Sequence, residues 1–279
     1  CCATSAYNKC KERKTMKMIQ KVQKVFQRIL VATLVFIFAL SQAMTQEVSA
    51  TTAQRNSAIS AMTSMRSISW YPNGSVSIAG TQYAIGGAIT GIPYNQSDLA
   101  NTTLSGFLSN PNMQYVTSGG NFYLFSQPTN EVGNDCSSAV AISWSAGGSS
   151  INVAAINTAQ MLSSVKSASC CMAKRGTYST STNVGDPLYY TYAMAHSVSK
   201  VTLYNALVPG DACFYKTSSE GHAILITGVN TASQTVTYIE QIGPGSSRLT
   251  STHSTWTSGT MSYTQLYNAG YVPVRCTDI

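Results

Sequence analysis

The run NDCSSAVAISW, residues 134–144, sets one cysteine directly after two residues that favour helix N-caps and ahead of an apolar stretch. A thiol reacts as its thiolate, and the unpaired N–H groups and dipole of a first helical turn favour negative charge. Cys136 is therefore a candidate nucleophile, with first-turn amides that could hold an oxyanion. The competing readings are a buried small residue or half of a disulfide.

A nucleophilic thiol needs a base, and the chain holds three histidines, His196, His222 and His253. His222 follows the turn Pro209-Gly210-Asp211 and the run ACFYK, and it opens the strand-like run HAILITGV. That is a rigid placement of the kind proton transfer needs. His196 lies in a tyrosine-rich stretch and His253 among serines and threonines, so both read as surface or packing residues. With a hairpin turn over residues 230–234, residues 240–242 come alongside His222 and can orient its far ring nitrogen. Glu240 and Gln241 point to opposite faces there, and a register slip of one exchanges them. Glu240 is preferred.

The surrounding pattern says what must hold these residues. Apolar residues at helical spacing predict a helix over 51–69, and a second helix capped by Ser97 would carry Leu99, Leu104, Phe107 and Leu108. Residues 110–134 lack a clear period and read as loop. The third helix starts at Asn134 or Asp135. A Ser- and Gly-rich linker follows, with a weak helix near 154–165 and another expected over PLYYTYAMAHSV. Beyond Pro209 the chain turns to strands, ACFYK, HAILITGV and TVTYIEQI, then a short helix SYTQLYNAG and a closing strand YVPVR. Helices first and an antiparallel sheet afterwards predict an α+β fold in one domain, 51–279, of which 51–91 is an N-terminal helical extension.

Residues 16–50 read as a secretory signal peptide: Lys21, Lys24 and Arg28 precede the apolar core ILVATLVFIFAL, and Val48-Ser49-Ala50 supplies small residues at the cleavage positions. Residues 1–15 read as a non-native or upstream segment. Residues 1–50 hold eight of the seventeen Lys and Arg and two of the ten Asp and Glu, so residues 51–279 carry nine basic against eight acidic side chains, a net +1. The basic footprint of a nucleic-acid binder is therefore absent from 51–279. The expectation is an exported monomer without stable membrane insertion once the leader is cut. Five cysteines remain, Cys136, Cys170, Cys171, Cys213 and Cys276; an odd number leaves one thiol over, and adjacent Cys170 and Cys171 allow at most one bridge to Cys213 or Cys276. No zinc-type spacing occurs, and no metal or other cofactor is expected.

Asp135-Cys136-Ser137-Ser138 resembles the D-C-S-G that opens the cysteine helix of NlpC-type cell-wall peptidases, and LVPGDACFY followed by GHAILITGV is similar to their P-G-D and G-H-V strands. The interval from His222 to TVTYIEQ resembles that of CHAP amidases, in which a Glu follows the histidine strand. Both belong to the papain-like fold. The resemblance implies a cysteine hydrolase acting on peptide or amide bonds of peptidoglycan, with Tyr94 or Tyr123 as the upstream tyrosine lining the site and Asp135 and Ser137 as further substrate contacts. Ser138 stands where the families have Gly, 86 positions separate Cys136 from His222, and Ile242 replaces a frequent Asn. A wall-binding module on the same fold and an acyltransferase are the rival expectations.

Overall fold

The structure is a computed structural model, and it describes residues 52–83, 87–97, 101–116, 120–124, 132–151, 157–158, 172–174, 199–216, 220–249, 251 and 253–279. The chain divides into two units at Ala50/Thr51, and the second, Thr51–Ile279, is the one described here. The expected leader, all but 157–158 of the helix near 154–165, the helix over 187–198, and Cys170 and Cys171 lie outside the described residues.

The fold is α+β. A helix over 52–67 (α1) buries Ala58, Met62 and Met65, three positions of one helical stripe. The rest of the stretch expected to be helical up to residue 91 forms strands instead: β1 (Ser69–Pro72), β2 (Val76–Ile78), β3 (Thr81–Tyr83) and β4 (Ile89–Thr90). The cause is visible in β1 and β2, where buried residues alternate with less buried ones at the strand period of two. Helix α2 (Leu104–Leu108) is capped by Thr103, not by Ser97. The region read as loop yields β5 (Met113–Val116) and β6 (Asn121–Leu124). These strands form a four-stranded sheet in the order β4-β1-β6-β5, with β1 and β6 parallel, while β2 and β3 form a separate hairpin.

Helix α3 (Cys136–Ala146) is buried from Cys136 through Trp144. Its Ser and Ala residues keep the helix thin enough for neighbours to approach on every side. The larger sheet has the order β11-β10-β9-β8-β12-β7, each strand antiparallel to the next. Its members are β7 (Met172–Lys174), β8 (Ala212–Lys216), β9 (Gly221–Asn230), β10 (Thr235–Gln241), β11 (Trp256–Ser262) and β12 (Val272–Cys276). Short helices α4 (Lys200–Tyr204) and α5 (Tyr263–Asn268) join at their tyrosines, Tyr204 and Tyr263, whose ring centroids are 5.4 Å apart. Helix α3 docks on the sheet through Trp144, whose ring meets Phe214 of β8 at 6.0 Å and whose Nε1 donates to Gly210 O at 2.8 Å. Among the described residues, no helix is long and apolar enough to cross a membrane.

The Gly of GIPY ties the two sheets. Gly91 sits at φ +85, a left-handed conformation that disfavours any side chain, and a Cβ there would collide with the Trp256 indole. Its carbonyl accepts from Trp70 Nε1 at 3.1 Å, and the next carbonyl, Ile92 O, accepts from both Trp256 Nε1 at 2.7 Å and Gln241 Nε2 at 2.9 Å. Gly91→Ala is expected to cost about 2–4 kcal/mol, strain and overpacking combined, read as a lower denaturant midpoint at unchanged slope.

Candidate active site

Asp135 begins α3 with a capping box: its Oδ1 accepts from Ser138 N at 2.7 Å, and Ser138 Oγ accepts from Asp135 N at 2.8 Å. The serine that departs from the family pattern thus has a local job. Ser137 is fully buried and its Oγ donates to Asp135 Oδ1 at 2.9 Å. These contacts commit Asp135 Oδ1 and the Ser137 hydroxyl to the helix start.

Cys136 is 4% exposed. Burial, and then the Asp135 charge beside it, push its thiol up to about 12; the Ala223 N–H, the Thr158 hydroxyl and the Ser137 N–H hydrogen-bond to the sulfur and pull the other way. Desolvation wins over the helix terminus, so the resting group is a neutral thiol and not the thiolate that its position suggested. The sulfur is bonded to the peptide N–H immediately after His222, which puts the two residues one peptide unit apart across the α3–β9 contact. Among the described residues no hydrogen bond joins the thiol to the imidazole.

His222 is 5% exposed, and its Nε2 lies 2.5 Å from Glu240 Oε2. Glu240 is fully buried, its Oε2 also receives Arg248 Nη1 at 3.0 Å, and its Oε1 has no hydrogen-bond partner among the described residues. Tyr215, paired with His222 across β8 and β9, sets its ring 6.2 Å from the imidazole, and Tyr271 stands edge-on to Tyr215 at 5.0 Å.

A one-residue bulge decides which side chain the histidine meets. Leaving the turn, β9 and β10 pair Asn230 with Thr235 and Gly228 with Thr237; the register then shifts, so Tyr238 pairs with Ile226 and Ile239 with Leu225. Continuing the shifted register sets Glu240 across from Ile224, on the face that His222 shares. The unshifted register would have turned Gln241 to that face. Gln241 instead lies fully buried on the opposite face, with Nε2 on Ile92 O and Oε1 without a partner among the described residues.

The two candidate tyrosines separate. Tyr94 bridges to Asn134 in the backbone, its hydroxyl accepts from Gln96 Nε2 at 2.8 Å, and its acidity is suppressed by burial and by the neighbouring Cys136 and Asp135. It stands beside the cysteine. Tyr123 belongs to β6 and stacks on Tyr71 of β1 at 5.3 Å, in the other sheet.

No family model, curated protein or solved structure matches the chain. Any kinship with cell-wall peptidases rests on the motifs in the sequence.

Among the described residues, no group of His, Cys, Asp and Glu could hold a metal ion. Cys213 is a buried thiol in β8, and Cys276 Sγ lies 3.0 Å from both Ser149 Oγ and Asp278 Oδ1. The Asp of P-G-D is structural: Asp211 is fully buried and joins Arg55 and Arg275. Sequence reasoning missed Arg248, Tyr215 and Tyr271. Tyr215 was open to discovery as the cross-strand neighbour of His222, whereas nothing in GPGSSRLT announces that its arginine returns to Glu240.

A raised thiol in the native state favours folding below the ordinary cysteine range. That contribution is lost as the pH climbs through the ordinary value of 9 toward about 12, and Cys213, raised by its own burial, acts in the same direction. Alkylation of Cys136 by iodoacetamide at pH 8 is expected to run about 10²–10³-fold slower in the native chain than in urea, rising with pH toward the alkaline limit; mass spectrometry of the labelled peptide reads both.

Proposed function

We propose that the protein is an exported cysteine hydrolase of papain-like architecture that cleaves peptide or amide bonds of peptidoglycan. The carrying observation is the convergence at one end of β9: a cysteine at a helix N-terminus, hydrogen-bonded to the backbone next to a buried histidine, which a buried carboxylate holds by its far nitrogen.

With a neutral resting thiol, the reaction begins with general-base help. His222 accepts the Cys136 proton as sulfur attacks the carbonyl, and the imidazolium formed is stabilised by Glu240. The same proton then goes to the leaving amine, and water, activated by the neutral imidazole, clears the thioester. First-turn amides of α3 are the available oxyanion donors. Arg248, 3.0 Å away, holds the carboxylate in place. Glu240→Gln, which keeps the shape and removes the charge, is expected to lower the turnover number about 100-fold or more.

The raised thiol and the missing thiol–imidazole hydrogen bond favour one alternative, a wall-binding module that does not turn its ligand over. Incubation of the full chain with purified peptidoglycan, followed by mass spectrometry, separates the readings. New amine and carboxyl termini support the hydrolase, cross-linked products an acyltransferase, and binding with unchanged polymer the module.

A further inference from the structure

Next to Tyr94 lies a groove of about 310 Å³ between the N-terminal strands and the connection from β10 to β11. Thr81, Tyr83, Thr90, Ser246, Ser251 and Ser254 are hydroxyl-bearing residues of its lining, and no charged side chain lines it among the described residues. Pro93 and Pro244 mark the end nearest Cys136, since each adjoins Tyr94 or Gly243, and a Cβ on Gly243 would lie 3.5 Å from the Tyr94 ring.

Tyr83 carries the argument beyond shape. It is 6% exposed, its ring is held against Trp70 at 5.5 Å, and its hydroxyl has no hydrogen-bond partner among the described residues. A buried hydroxyl without a partner is costly, and a ligand oxygen reaching it would recover that cost. Ions entering such a lining would lose water and find no countercharge, whereas an uncharged polyol exchanges its hydrogen bonds with water for bonds to hydroxyls. The wall that bears Ser246 and Ser251 is pinned from behind by Arg248, whose Nη1 reaches Glu240 at 3.0 Å. The groove is therefore braced by the carboxylate that holds His222.

We infer that this groove binds a neutral saccharide, the glycan portion of the polymer whose peptide bonds approach Cys136. The identity of the natural ligand rests on the peptidoglycan reading, but binding requires no turnover and can be measured apart from it.

The test is calorimetric titration of the full-length Cys136→Ala chain with a tetramer of N-acetylglucosamine. Saturable binding is expected, weakened at least tenfold by Ser246→Arg, which places a cation in the groove, and by Tyr83→Phe. The second variant deletes a hydroxyl without a protein partner, so its denaturation midpoint is expected to stay level or rise, which separates lost binding from lost folding. Absence of saccharide binding overturns the inference, as does binding that neither variant alters, or binding of an uncharged tetra-alanine peptide in its stead. Wild-type chain that leaves peptidoglycan intact while the tetramer still binds at the groove removes the hydrolase and keeps this site; cleavage without saccharide binding does the reverse.

Discussion

Cys136→Ala is expected to reduce release of new termini from peptidoglycan by at least about 10³-fold, to the level of chain without protein activity, while the molecule stays folded. The sulfur is the only protein atom in the proposed reaction that bonds to the substrate carbon, so no other side chain can replace it. The substitution also removes few packing atoms. Cys136 lies within the buried face of α3, and trading a small thiol for a methyl there costs about 1 kcal/mol. It has a second signature: the alkaline loss of stability assigned to this thiol should shrink, because the neutral side chain cannot ionise. Unchanged hydrolysis by the Ala variant would end the nucleophile assignment, and an unfolded variant would show itself by circular dichroism.

Asp211→Ala should lower stability by about 3–5 kcal/mol, enough to consume much of the margin of an ordinary domain. Asp211 Oδ1 receives Arg55 Nη1 at 3.0 Å and Arg275 Nε at 2.6 Å, while Oδ2 receives Arg275 Nη2 at 2.7 Å and Val208 N at 2.9 Å. One carboxylate therefore closes the turn before β8, fastens α1 through Arg55 and fastens β12 through Arg275. Truncation leaves two guanidinium groups facing each other over a cavity. Their side chains are only 10% and 18% exposed, so water relieves little of the repulsion. Asp211→Asn keeps the acceptor for Val208 and should cost less. Urea denaturation followed by tryptophan fluorescence reads both, and a change below 1 kcal/mol for the Ala variant would refute the account.

How far the sequence foretold these features depended on how local their causes are. The start of α3 was legible because Asp135 caps through contacts within three residues. The hairpin of β9 and β10 was legible because Asn230 and the polar turn beyond it interrupt two long apolar runs. The N-terminal strands were not: β1 finds its partners in β4 and in β6, some fifty positions away, and four-residue strands leave too short a pattern to recognise. Sequence reasoning narrowed the histidine's partner to Glu240 or Gln241, but the bulge near Thr227 that separates them leaves no mark of composition. The resting state of Cys136 was misjudged for a related reason, since a helix terminus is written in adjacent residues whereas burial is contributed by distant ones.

That bulge makes strand length a chemical variable. Excision of Tyr238, with the bulge at Thr227 kept, would slide the far half of β10 by one position and present the imidazole with an amide where it now has an acid, leaving every reactive residue in the chain. Insertions and deletions along the strands can in this way rewrite proton-handling chemistry without any substitution at the pocket.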